Sequence, residues 1–260
     1  MCAKAERLKK RWDEQLEKLI DDHENDCNFD LMCGQSDDDF VNILLSVRQE
    51  YGLTREDVKE SSAQVIELTM AELMRKPHLL KKVQDEVRAC IPNGQEIVCE
   101  VDVNNMTYLR AVVKEGLRLH PVAPLLGARI SMADCNIDGY VIPSGMRVLV
   151  NAWAIGRDER FWEDAEEFVP ERFVKSTSSA TAASVNIRGN DYQYLPFSSG
   201  RRICPGMNFA ITVMEIMLAN LMWKFDWLLP APAMDIDMSE VFGLSVRRKE
   251  KLLLVPKQHA

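Results

Sequence analysis

Between Tyr194 and Ile216 the chain reads YLPFSSGRRICPGMNFAITVMEI. An apolar turn leads into a loop punctuated by glycine and proline. The loop carries two arginines and one cysteine, and it opens onto a long amphipathic pattern. Pro205 suits the first turn of a helix, which the pattern extends to about Trp223. A fold that accepts this segment must pack a long helix and hold the loop ahead of it in a fixed shape. What a lone cysteine does at that junction is the question the rest of the chain has to answer.

The remainder predicts mostly helices. Residues 4–22 carry Leu8, Trp12, Leu16 and Leu19–Ile20 on one face, an acidic loop follows from Asp21 to Asp39, and Phe40–Gln49 reads as a short helix closed by Gly52. Thr54-Arg-Glu-Asp57 resembles a capping box. The helix it opens runs through Leu68 and Met74 and stops near Lys76, because the residue before a proline disfavours helix. Pro77 starts another helix, with Leu80, Val83 and Val87 on one face, closed by Pro92-Asn-Gly94. Thr107–Leu119 is a further helix, ended by His120-Pro121. From Leu125 to Asn151 the signal turns to short strands, Cys135–Ile137, Tyr140–Ile142 and Arg147–Val150, separated by Asp138-Gly139 and Pro143-Ser-Gly145. Residues 176–190 read as an exposed loop, and the tail from Leu244 to Pro256 as a final hairpin. The expected class is mainly α with a small β region.

Composition excludes more than it selects. The formal net charge is −8 with no strongly basic block, which argues against a nucleic-acid partner. Seven cysteines, scattered and without a C-x-x-C pair, read as reduced thiols and not as a disulfide framework or zinc site. No signal peptide opens the chain, and no apolar run reaches the roughly 18 residues of a membrane span. The chain therefore reads as soluble and cytoplasmic. The four histidines, His23, His78, His120 and His259, are isolated and expected to face solvent or to serve structure. The nucleotide, serine-hydrolase and zinc-protease signatures G-x-x-x-x-G-K-[ST], G-x-S-x-G and H-E-x-x-H are absent.

The cysteine loop is more specific. A thiolate makes a strong ligand for haem iron when a rigid loop presents it and backbone N–H groups moderate its charge. Gly200 and Gly206 let the backbone turn tightly, and the dipole of the following helix favours a thiolate. The spacing Phe197-x-x-Gly200-x-Arg202-x-Cys204-x-Gly206 resembles the haem-thiolate signature of the cytochrome P-450 monooxygenases at every fixed position. Two further motifs follow that family's order: Glu115-Gly-Leu-Arg118, whose i,i+3 spacing puts both side chains on one helix face, and Pro170-Glu-Arg172-Phe173.

Leu119 to Asp158 is similar to the strand region of the plant microsomal members, and the resemblance runs from about Lys4 to Pro256. It implies a partial cytochrome P-450 domain over residues 1–260, the C-terminal part of that fold, without the N-terminal half and membrane anchor. It implies haem b, with Cys204 as iron ligand and Phe197, Gly200, Arg202, Gly206, Arg129 and Ala210 around it. Ala128 stands where the pattern has a proline before Arg129. Glu115, Arg118 and Arg172 would form a buried structural network, and Val122–Leu126 a stretch that contacts substrate. It further implies an NADPH-cytochrome reductase as electron donor, an apolar small-molecule substrate, and for the family the cytosolic face of the endoplasmic reticulum membrane.

The chain also departs from the pattern. Lys59-Glu60 runs straight into Ser61-Ser62, where the family has roughly a dozen further residues, some 18 Å of helix. Two readings stand: a haem-dependent monooxygenase of plant secondary metabolism, or a non-catalytic fragment that binds haem weakly or not at all.

Overall fold

The computed structural model describes residues 55–92, 94–95, 97–174, 187, 189–231, 235–241 and 245–259, with side chains described from Ala63 onward. The helices expected over 4–22 and 40–49, the acidic loop between them and most of 176–190 lie outside the described residues. The chain divides into two units, Met1–Val58 and Lys59–Ala260, and the core and the candidate site both belong to the second.

Helix α1 (Arg55–Arg75) and α2 (Pro77–Cys90) meet at Lys76, as the proline requires. A one-turn α3 (Glu100–Val103) precedes α4 (Thr107–Leu119). Strands β1 (Arg129–Ile130), β2 (Cys135–Ile137), β3 (Tyr140–Ile142) and β4 (Arg147–Val148) come next. Then follow α5 (Ala152–Ile155), a 3-10 turn at Pro170–Phe173, another at Gly200–Arg202, and α6 (Met207–Lys224). Strands β5 (Phe225–Leu228), β6 (Glu240–Val241), β7 (Arg247–Arg248) and β8 (Val255–Gln258) close the chain. All four strand pairs, β1–β4, β2–β3, β5–β8 and β6–β7, are antiparallel ribbons of two strands.

Helix α4 is the centre. Ten of its 13 residues are buried, because α2, α6 and the 170–173 turn all pack against it. Its first turn is capped from outside. The Glu86 carboxylate of α2 accepts hydrogen bonds from the Tyr108 and Leu109 N–H groups, at 2.8 and 2.7 Å, and from the Thr107 hydroxyl at 3.2 Å. An acid at a helix N-terminus also suits the macrodipole. Helix α6 is apolar almost all round. It buries Met214, Leu218, Ala219 and Met222, and Asn220 makes two bonds to the Val98 backbone, 3.0 and 3.2 Å. Gln84 and Arg88 of α2 both donate to the Phe225 carbonyl, where α6 becomes β5.

Two expectations are corrected. The tail does not form its own hairpin: β7 pairs with β6, and β8 pairs with β5. Alternation marks a strand without naming its partner. Residues between the two strands are held elsewhere, since Leu252 N–H donates to Glu67 of α1 at 2.7 Å. Helix α6 starts at Met207, not Pro205, because the Met207 N–H closes a turn back to the Cys204 carbonyl at 3.4 Å and Gly206 becomes the cap. The short helices α3 and α5, four residues each, are below the length at which periodicity registers.

Helix α1 approaches α4 at Gly116, where a Cβ would stand 2.2 Å from the Thr69 hydroxyl oxygen. Gly116→Ala is therefore expected to cost about 1–3 kcal/mol through overpacking, and adding Thr69→Ala should recover most of the loss. Urea denaturation of the single and double variants checks both.

Candidate functional site

The site is built outward from one carboxylate. Glu115 is fully buried. Arg118 reaches it through two parallel bonds, Nε to Oε2 at 2.8 Å and Nη2 to Oε1 at 2.9 Å. Arg172, from the 170–173 turn, adds Nε to Oε1 at 3.1 Å, and the Val169 N–H adds another at 2.7 Å. Arg118 then spends its remaining donors on carbonyls: Gly156 and Ala165 from Nη1, and Glu167 from Nη2 at 2.9 Å. All five of its N–H groups have acceptors, the condition under which a buried guanidinium is tolerated. Arg172 likewise donates to the carbonyls of Glu163 and Asp164. The structure thus brings Glu115, Arg118 and Arg172 together.

The network reaches the cysteine loop through aromatic rings. The Arg118 guanidinium lies 5.3 Å from the Trp162 ring centre, and Trp162, Phe173 and Tyr194 form a triangle with centroids 5.4–6.1 Å apart. Tyr194 is buried and its hydroxyl donates to the Lys114 carbonyl of α4 at 2.8 Å. Burial first, then the Glu115 charge, pushes the Tyr194 hydroxyl well above its ordinary range, so it stays a donor. The segment that begins at Tyr194 is thereby fastened to α4. Trp162 and Tyr194 were not singled out in the sequence; the available signal was a pair of aromatics just ahead of motif residues.

The loop itself is tightly turned. Cys204 N–H donates to the Phe197 carbonyl at 2.9 Å, and Ser199 Oγ donates to the Gly189 carbonyl at 2.6 Å. Gly200 has φ +69°, a left-handed conformation, and a Cβ there would meet nothing within 4 Å. Its requirement is conformational, not spatial. Ser198 shares the region at φ +69°. Phe197 and Ala210 are half-buried and pack against the core. Arg129 of β1 crosses to the loop, donating from Nη2 to Ser198 Oγ at 2.9 Å and to the Arg202 carbonyl at 3.3 Å. Arg202 itself is exposed. Phe197, Gly200, Arg202, Cys204, Gly206, Ala210 and Arg129 thus gather on one loop, the start of α6 and the adjoining strand.

Cys204 is half-buried and free. Burial pushes its thiol up, and the Gly206 N–H pulls the other way. The donor set fits haem iron: one soft sulfur, one backbone N–H to moderate its charge, and arginines on the same loop and the strand beside it. Among the described residues no group of three His, Cys, Asp or Glu side chains can hold a metal ion, and no helix is long and apolar enough to cross a membrane.

Because removal of one partner strands the others' buried charge, Glu115→Ala is expected to cost about 3–5 kcal/mol. Its reading is insoluble protein or a collapsed melting transition; normal melting would show the carboxylate to be dispensable.

The chain is 50% identical to an indole-2-monooxygenase of Zea mays and 47% identical to an indolin-2-one monooxygenase of the same plant. These matches cover 98% and 99% of this chain but 49% and 50% of the relatives, so the chain spans about half their length. They run over 270 and 275 positions, more than the 260 residues present, so these relatives carry positions without a counterpart here. Among solved structures, a zebrafish cytochrome P450 with abiraterone superposes with a TM-score of 0.65 at 29% identity, over 76% of this chain and 45% of that one. The cytochrome P450 family model matches residues 1–255, and the chain belongs to the cytochrome P450 family.

Proposed function

We propose that this chain supplies the thiolate side of a haem b site and serves a monooxygenase that places one oxygen atom from O₂ into an apolar small molecule of plant secondary metabolism. The observation that carries the reading is the Phe197–Gly206 loop: its single cysteine sits half-buried beside the Gly206 N–H, with the loop tied back to α4 through Tyr194. Members of the family carry haem b, and 260 residues forming the C-terminal part of one such domain is part of this reading. Relatives named for indole, indolin-2-one and 3-hydroxyindolin-2-one at 50%, 47% and 44% identity support a small aromatic heterocycle as substrate. By the same family likeness, electrons would come from an NADPH-cytochrome reductase at the cytosolic face of the endoplasmic reticulum.

When bound, haem would supply oxygen activation, favoured by electron donation from a thiolate ligand. This chain's residues do the rest. Cys204 would hold the iron as a thiolate, its proton passing to solvent, and the Gly206 N–H would stabilise that charge. Gly200 lets the backbone turn on the ligand side, while Phe197 and Ala210 present apolar surface from the core. Arg129 and Arg202 carry the positive charge that carboxylates at a macrocycle edge need. Glu115, Arg118 and Arg172 touch none of these reacting atoms; they fix the loop that does.

A second reading, a chain that holds haem without turnover, is favoured by one observation. α1 runs without interruption from Arg55 to Arg75 through the point where the family pattern has a dozen more residues, and the surplus of aligned positions agrees with such a shortfall.

In the reduced, carbon-monoxide difference spectrum of the full chain reconstituted with haem, a red-shifted thiolate band is expected. Cys204→Ala should abolish it, and Cys135→Ala, at an exposed strand residue, should leave it intact. An unchanged band in Cys204→Ala removes the assignment. On the second reading, product formation with a plant reductase, NADPH and indole falls well below that of a version with the missing α1 residues restored; on the first it does not. Equal rates would dispose of the second reading.

A further inference from the structure

We propose that His120 is a positioning residue: as an imidazolium it clasps Glu240 to Glu72, holding the β6–β7 hairpin and, through Val246, the Val122–Leu126 segment, and it releases both when its proton leaves.

The geometry begins with the ring. His120 caps the C-terminus of α4 and is buried. Its Nδ1 lies 2.7 Å from Glu240 Oε1 on β6, and its Nε2 lies 3.2 Å from Glu72 Oε1 on α1. A neutral imidazole has one N–H, so it can satisfy only one of two ionised carboxylates and must turn a lone pair toward the other. The imidazolium donates to both. Three elements distant in sequence are therefore joined by one proton.

The surrounding charges permit this. Arg75 on α1 reaches Glu72 at 3.4 Å. Arg248 stands opposite Glu240 in the β6–β7 register, is buried, and donates to the Asp237 carbonyl at 2.6 Å. Arg157, paired with Glu166 at 3.1 Å, lies within electrostatic reach of Glu240. With His120 charged, Glu72 is bonded by His120 and Arg75 and Glu240 by His120; with it neutral, the two carboxylates face each other across a ring that bonds only one of them.

The clasp leads to a functional segment. The Val246 N–H, one residue ahead of β7, donates to the Val122 carbonyl at 2.9 Å. Glu240 holds one strand of the hairpin and Val246 leads into the other. The consequence for substrate rests on the monooxygenase reading of Val122–Leu126; the proton dependence does not.

Competition at the ring sets the sign. Burial opposes its charge, but the bonds to Glu240 and Glu72 outweigh burial and raise its folded value above 6.5. The stabilisation is therefore complete below the unfolded value and is lost as pH rises through the folded one.

Hydrogen exchange and histidine-carbon NMR on the full chain, from about pH 6 to 9, test this. Val246 amide protection, corrected for intrinsic exchange, should fall with a slope of up to about tenfold per pH unit as pH rises from the unfolded value to the His120 midpoint, the slope for release of one proton, and level off above that midpoint. The Tyr108 amide, held by Glu86, should not change in this way. His120→Gln and Glu240→Gln should each make Val246 protection independent of pH. Constant protection in the unaltered chain, the same decline in His120→Gln, or a His120 midpoint at or below 6.5 would overturn the proposal. Should either variant fail to fold, the two measurements on the unaltered chain decide alone. Loss of haem binding without loss of the Val246 slope would count against the monooxygenase reading and leave the clasp standing.

Discussion

The described structure depends on a carboxylate that cannot be allowed to stand alone. Glu115 lies within α4, whose neighbours remove water from almost every side. An ionised acid there is untenable without compensation worth several kcal/mol. The compensation comes from far along the chain: Arg118 one turn on, and Arg172 and the Val169 N–H more than fifty residues later. Satisfying Arg118 then commits the carbonyls of Gly156, Ala165 and Glu167. A single buried charge thus dictates the path of a stretch that has almost no regular secondary structure of its own.

That arrangement explains how an irregular loop is held in a definite shape. The described residues between α5 and α6 have few ladder hydrogen bonds. Their order is imposed by Arg118 beneath Trp162, by the Trp162–Phe173–Tyr194 triangle, and by the Tyr194 hydroxyl on α4. A buried ion network of this kind contributes less to net stability than apolar packing of equal volume. What it contributes is direction: the path the chain takes gives every Arg118 N–H an acceptor. Cys204 sits at the end of that path, its N–H bonded to the Phe197 carbonyl.

Much of this was legible in the sequence because the signals were local. Pro77 divided α1 from α2 to the residue, Asp138-Gly139 fixed the β2–β3 register, and the spacing of Phe197, Gly200, Arg202, Cys204 and Gly206 marked the loop. What escaped was long-range. The tail strands β7 and β8 were legible as strands, but their partners β6 and β5 were not, since alternation carries no address. Tyr194 and Trp162 escaped for the same reason: their work is done through contacts with residues 80 and 31 positions away, at Lys114 and Gln193. His120 looked isolated because its two carboxylates are 48 and 120 positions distant.

The shortfall in α1 can be weighed against these contacts. Removing a dozen residues from a helix shortens it by about 3.3 turns and rotates one flank against the other by roughly 120°. On the flank that follows Ala63, the register is pinned independently at three points: Glu67 by the Leu252 N–H, Thr69 by Gly116, and Glu72 by His120. Those residues span about one and a half turns of one helix, so none can rotate without breaking the other two. The apolar face from Val65 to Leu73 is correspondingly buried. This flank therefore keeps its fit to α4 and to everything α4 supports, including the cysteine loop. In the haem-thiolate reading, the residues that would hold the thiolate keep these supports, and the shortfall would tell on groups contributed by the absent helical residues. Ligand binding without turnover is what the second reading draws from that division, and the monooxygenase reading draws on the same intact supports of the loop.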